Sequence, residues 1–280
     1  MYHHVKKLMY TVKIGSPDVR FGRLLLEQFG GANGELAAAM QYTIQGWNCV
    51  DDIGRRDLLL DIGTEELSHL EVVGALIRMH LKELKTDVEA AHADPWVTIA
   101  GGGGVNLYNS AGNPWTADYL KITGELDVDL RSNIAAEARA KIVYERLIDH
   151  TDDPGTIDTL QFLMTREITH MKAFSAALET MDKPPFSIGR LAPTPVLTDE
   201  YFDASTGEGD EGDTNVLGPW TKMNGLHPVE SRLVQGGEGL SIKKVKGVAG
   251  REDRGKQDSA PRATTAPELE ELVGVAESKV

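Results

Sequence analysis

Cys49 is the single cysteine among 280 residues, so no internal disulfide staples this chain and no cluster of thiolates is available to a metal. Its apolar and aromatic neighbours mark it as a packing residue, and a reducing, cytoplasmic setting fits. Basic residues are in deficit. Lys and Arg total 29 against 43 Asp and Glu, a formal net charge of -14 with a pI near 5.0, which argues against nucleic acid or an anionic membrane surface as the main partner. No run approaches the roughly 18 apolar residues of a bilayer span, and no apolar core of a signal peptide follows Met1-Tyr2-His3-His4. Gly101-Gly102-Gly103-Gly104 lacks both the preceding strand and the following Lys-Ser or Lys-Thr of a phosphate loop, so it reads as a flexible connection. The length exceeds the ~100 to 150 residues of a typical domain. One large domain with an extension, or two unequal parts, is expected.

Helical signals fill residues 16 to 182. Ser16-Pro17-Asp18 starts a leading helix over about 17 to 29, which Gly30-Gly31 stops. Asn33 caps a second helix to about Asn48. A third spans about 54 to 85, with Leu58, Ile62, Glu66, His69, Val73 and Leu76 on one face. Residues 86 to 113 lack sustained periodicity and form a long crossover. Asn113-Pro114 opens the next long segment, to about His150, with a break near Thr123-Gly124; Asp153-Pro154 opens the last, which aligns Leu160, Leu163, Glu167, His170, Phe174, Ala177 and Met181. The expected class is therefore all-α: a ferritin-like four-helix bundle with a long crossover. Residues 1–185 form the bundle with its N-terminal arm, 186–250 a mostly irregular segment that wraps it or a neighbouring subunit, and 251–280 a mobile acidic tail.

Two stretches on these faces share one form. "TEELSHL" at 64–70 and "TREITHM" at 165–171 both read Thr-x-Glu-x-x-His, which places Glu66 with His69 and Glu167 with His170 one helical turn apart. Each follows a helix bearing another inward glutamate about thirty residues earlier, Glu35 (66 − 35 = 31) and Glu137 (167 − 137 = 30). A single Glu-x-x-His is usually a solvated pair. Two copies on apolar faces, each with a partner glutamate, match the duplicated ligand set of di-iron and di-manganese carboxylate bundles. Four ionised carboxylates in one core repel each other and lose their hydration, which two divalent cations offset. Carboxylate and imidazole without thiolate point to iron or manganese and leave the two unresolved. An oxygen-activating di-iron oxidase or oxygenase, and an iron-storage or structural protein of the same fold, share this ligand grammar; storage chains are usually shorter and lack so long an extension.

Residues 1 to 225 resemble the non-haem manganese catalases, through "KKLMYTVKI", "GGANGELAAAMQYTIQGWN", "LLLDIGTEELSHLEVV", "TREITHMKAF" and "YFDASTGEG". The resemblance implies two manganese ions that disproportionate hydrogen peroxide to water and dioxygen while cycling between Mn(II)2 and Mn(III)2. It implies Glu35 and His69 as terminal ligands of one ion, Glu137 and His170 of the other, Glu66 as the bridge, Glu167 as an outer-sphere base, and Tyr42 as a hydrogen-bonding neighbour. Some members carry an arginine just before the third-helix ligand; here Ala136 stands there, which leaves Arg139, Arg146 or the extension to guard the channel. The resemblance also implies calcium at Asp57 and Asp61 with Asp203, Ser205 and Gly207, although Asp203 replaces the usual Asn and a solvated acidic pair is the plainer reading of Asp57 and Asp61. It implies a homohexamer as well.

Overall fold

The structure, a computed structural model, describes residues 5–82, 87–183, 187–192, 198–203, 227–230 and 243–244. Four long helices dominate residues 1–182: α3 (Glu35–Asn48), α4 (Ile53–His80), α7 (Leu126–Ile148) and α8 (Pro154–Glu179). Short links join α3 to α4 and α7 to α8, and each such pair packs as a helical hairpin. The long connection between α4 and α7 makes the arrangement ferritin-like. Among the described residues no helix is long and apolar enough to cross a membrane.

The helix ends differ from the expected ones for local reasons. The leading segment is two helices, α1 (Val19–Leu24) and α2 (Leu26–Gly30), separated at Leu25, whose carbonyl accepts the Gln28 N–H at 3.1 Å in a tighter three-residue step. Asp18, not Ser16, caps α1: its carboxylate accepts the Phe21 N–H, while its own N–H donates to His80 Nδ1 at 3.1 Å. Asn33 does not cap α3, because its Oδ1 accepts from Arg139 Nε at 2.9 Å, and Gly34 takes the cap position without a side-chain bond. Helix α4 stops at His80, and residues 83–86 lie outside the described set. The crossover carries α5 (Val88–Ala93) and α6 (Pro95–Ile99), each under two turns and therefore without a readable period; Asp87 and Asp94 cap them.

The Asn113-Pro114 start is also corrected. Pro114 bridges Tyr108, a 3-10 turn follows at Ala117–Tyr119, and α7 begins only at Leu126. The break falls at Gly124, whose φ of 78° suits a residue without Cβ, and the Asp129 carboxylate folds back to accept from the Thr123 N–H and hydroxyl and the Gly124 N–H. Buried amides pin this segment to the bundle. Gln45 Nε2 donates to the Lys121 carbonyl at 2.8 Å, the Lys121 N–H donates to Gln41 Oε1 at 2.7 Å, and Asn133 bonds both glutamines. Asp153 caps α8 as expected, accepting from the Thr156 N–H.

Two apolar layers fill the bundle. One gathers Phe21, Leu25, Val72, Leu76, Tyr144, Leu160 and Leu163; the other gathers Tyr42, Leu59, Ile62, Leu130, Phe174 and Ala177. Along α4 the two layers end at Val72 and Ile62, and along α8 at Leu163 and Phe174. The polar residues that matter lie between those limits. The hairpin of α3 and α4 closes tightly there: a Cβ on Gly63, one turn before Glu66, would stand 2.7 Å from Thr43 Oγ1.

Residues 183–280 form a second compact unit. Its described part carries short strands within the expected irregular chain: β1 (Leu191–Ala192) antiparallel to β4 (Lys243–Lys244), and β2 (Glu200–Asp203) parallel to β3 (His227–Glu230). The tail from 251 lies outside the described residues.

Candidate metal centre

Between the apolar layers, Glu35, Glu66, His69, Glu137, Glu167 and His170 are all buried, none more than 2% exposed. Helix periodicity delivers them: α3 and α7 contribute one glutamate each, and α4 and α8 contribute the Glu-x-x-His pairs. Glu66 sits at the middle. Its Oε2 lies 2.9 Å from His69 Nδ1 and its Oε1 2.8 Å from His170 Nδ1, so one carboxylate spans both half-sites. His69 Nδ1 also lies 3.5 Å from Glu35 Oε2 and 3.6 Å from Glu167 Oε1, and His170 Nδ1 lies 3.9 Å from Glu137 Oε2. The ligand atoms of Glu66, His69, Glu167 and His170 fall within 4.8 Å of one another.

Electrostatics explain why such a cluster wants cations. Burial, then the Glu66 charge, raises Glu35 to about 7 and Glu137 to about 8. Burial followed by the charges of Glu66, Glu35 and Glu137 lifts Glu167 well above the carboxylate range. Glu66 alone goes down: burial opposes its ionisation, but the bonds to His170 and His69 outweigh it and hold it at about 2. Burial likewise opposes the charged imidazoles, yet their carboxylate partners push His69 up to about 12 and His170 to about 9. The metal-free site thus retains protons in place of other cations.

The donor set fits two divalent ions. Both Glu137 oxygens and Glu167 Oε1 are buried without a hydrogen-bond partner, a condition that coordination or a bound polar group relieves. Carboxylate and imidazole donors suit manganese or iron.

Tyr42 is fully buried, edge-on to Phe174 at 5.0 Å, and its hydroxyl lies near Glu137 without hydrogen-bond geometry. Two further contributors were not anticipated from the sequence. The buried Tyr144 donates its hydroxyl to Glu35 Oε1. Its signal was available, since it follows Glu137 by seven residues just as Tyr42 follows Glu35. Glu65 lies behind the imidazoles, 3.3 Å from both His69 Nε2 and His170 Nε2, and pairs with Arg166.

Other expected residues lie apart from the cluster. Ala136 is half-buried; Arg139 is exposed and lines a cavity of about 420 Å³ with Ala32, Asn33 and Lys121; Arg146 is exposed. Asp57 and Asp61 are exposed on α4, with Asp57 3.6 Å from Arg56 Nε. Asp203 ends β2, while Ser205 and Gly207 lie outside the described residues.

Comparison with known proteins gives this geometry a context. The profile of the family described as "Manganese containing catalase" matches residues 1–270. A probable manganese catalase of Clostridium acetobutylicum is 40% identical over 211 residues, covering 74% of this chain and 91% of its own length. The manganese catalase of Lactiplantibacillus plantarum is 34% identical over 249 residues, covering 85% and 89%. The crystal structure of KatB, a manganese catalase from Anabaena, superposes with a TM-score of 0.71 at 41% identity, over 82% of this chain and 99% of KatB. With a family match over nearly its whole length and the duplicated glutamate and histidine set converging in its core, this chain belongs to the manganese-containing catalase family.

Proposed function

We propose that the chain disproportionates hydrogen peroxide, 2 H2O2 → 2 H2O + O2, at a dimanganese centre held by Glu35, Glu66, His69, Glu137 and His170. The observation that carries this reading is the Glu66 carboxylate shared between the histidines of the two repeated motifs, at 2.9 and 2.8 Å. When bound, the two manganese ions supply a two-electron couple, Mn(II)2/Mn(III)2, that needs no outside reductant.

The chain's own groups handle position and protons. Glu66 belongs equally to both half-sites and fixes their separation. Glu35 and Glu137 close the two ends, the first restrained by Tyr144. Glu167 is the proton carrier: its Oε1 is buried without a hydrogen-bond partner beside the cluster, placed to take a proton from peroxide and return it to the departing water. The apolar layers on either side keep bulk water out and strengthen each of these interactions.

The same reading extends to calcium at Asp57 and Asp61, to a homohexamer, and to a cytoplasmic location. Oxygen isotopes test the central reaction. Given a mixture of fully 18O-labelled and unlabelled peroxide, the manganese-loaded protein should release only doubly labelled and unlabelled dioxygen, because each O–O bond survives. Mixed-label dioxygen, or none, overturns the assignment.

A further inference from the structure

We propose that Glu65 and Arg166 form a positioning pair that holds both histidines of the centre from behind, one carboxylate serving both metal half-sites. The inference rests on the dimetal reading above and concerns residues outside the ligand set.

The repeated motif differs at the position before its glutamate. "TEELSHL" has Glu65 there and "TREITHM" has Arg166, opposite charges at equivalent places on α4 and α8. The fold brings them together: Arg166 Nε lies 2.6 Å from Glu65 Oε1, and Nη2 3.4 Å from Oε2. The same carboxylate then reaches inward twice, Oε1 to His69 Nε2 and Oε2 to His170 Nε2, both at 3.3 Å. These approaches are ion-pair contacts rather than aligned hydrogen bonds, and neither Nε2 has any other partner. The rings lie nearly parallel, 17° apart with centroids at 5.5 Å. Consecutive glutamates of α4 therefore span the two edges of one imidazole pair, Glu66 the Nδ1 edges and Glu65 the Nε2 edges.

Chemistry gives the arrangement a purpose. An imidazole that binds a metal through Nδ1 must carry its proton on Nε2, and a carboxylate at Nε2 fixes that tautomer, orients the ring and increases its donor strength. Here one carboxylate does so for both ions, so its loss weakens both sites together. The guanidinium fork fixes the plane of the carboxylate, which lets each oxygen address a different ring.

Three variants, compared with the wild type, test this by manganese binding to chelator-stripped full-length protein and by electron paramagnetic resonance of the reloaded Mn(II) pair. Glu65→Gln offers one acceptor oxygen where two are needed, so affinity should fall roughly 10- to 100-fold for both ions, and the spectrum of the loaded fraction should change. Arg166→Gln should have the same effects in milder form. The exchange Glu65→Arg with Arg166→Glu should restore much of both, by returning a carboxylate from α8. Wild-type affinity and spectrum in Glu65→Gln overturn the proposal; if that variant does not fold, the same result in Arg166→Gln does. A wild-type chain that takes up no manganese would instead fail the dimetal reading itself.

Discussion

The Tyr144 hydroxyl donates to Glu35 Oε1 although the two residues belong to opposite halves of the repeated pattern. Tyr144 follows Glu137, and Tyr42 follows Glu35, each by seven residues, yet each phenol faces the glutamate of the other half. The crossing ties the half-sites together at their outer ends, as Glu66 ties them at the middle. A hydrogen bond to a carboxylate contributes about 1.5–3 kcal/mol, so Tyr144→Phe should weaken manganese binding roughly tenfold or more. Tyr42→Phe, which removes no formed bond, should weaken it less. Equilibrium dialysis against manganese distinguishes the two.

Glu66 and His170 should differ in what they hold. Glu66→Ala removes the carboxylate that joins the Nδ1 edges of both histidines and should empty both positions, whereas His170→Ala should lose mainly one ion. Metal content per chain after desalting reads this directly.

The proposed role of Glu167 as proton carrier and not as ligand separates metal content from turnover. Glu167→Gln should retain two manganese ions per chain while turnover falls by roughly 10²- to 10⁴-fold. Loss of the ions with the activity would make it a ligand instead.

Acid should loosen the fold through His80, away from the centre. Its Nδ1 accepts the Asp18 N–H at 3.1 Å, so Nε2 carries the proton and donates to Thr156 Oγ1 at 3.0 Å, and Thr156 donates onward to Asp153 at 2.7 Å. Burial lowers its pKa despite the opposing charges of Asp153 and Asp18. The unfolded chain therefore takes up this proton first as pH falls. The contribution is full above the ordinary histidine value of about 6.5 and is lost between that value and the lower folded one. Urea unfolding from about pH 7.5 to about pH 5 should show wild type losing stability faster than His80→Gln, which has no proton to gain; parallel curves would contradict this.

The buried glutamate and histidine cluster was legible because charge is conspicuous on an apolar helical face: Glu66 and His69 interrupt the row of Ile62 and Val73, and Glu167 and His170 that of Leu163 and Phe174. Glu65 and Arg166 were not, since a charged residue beside a motif looks like any solvated position until two helices are brought together. Tyr144 was not singled out for the same reason, since a tyrosine on an apolar helix face has no visible partner until α3 and α7 are brought together. Helix ends were displaced where neighbouring residues compete for one role: Asp18 rather than Ser16 caps α1 because His80 holds its N–H, and Asn33 is drawn off by Arg139. The delayed start of α7 depends on buried amides contributed by Gln41, Gln45 and Asn133, whose partners are 76 to 92 residues apart.

In the proposed centre these six side chains tolerate one another because two cations join them. Titrating the chelator-stripped chain with Mn(II) tests it most directly, by counting ions bound while oxygen release from peroxide is followed in the same samples. Two ions per chain are expected, with activity appearing only as the second site fills. Saturation at one ion, or full activity from a singly loaded chain, would contradict it.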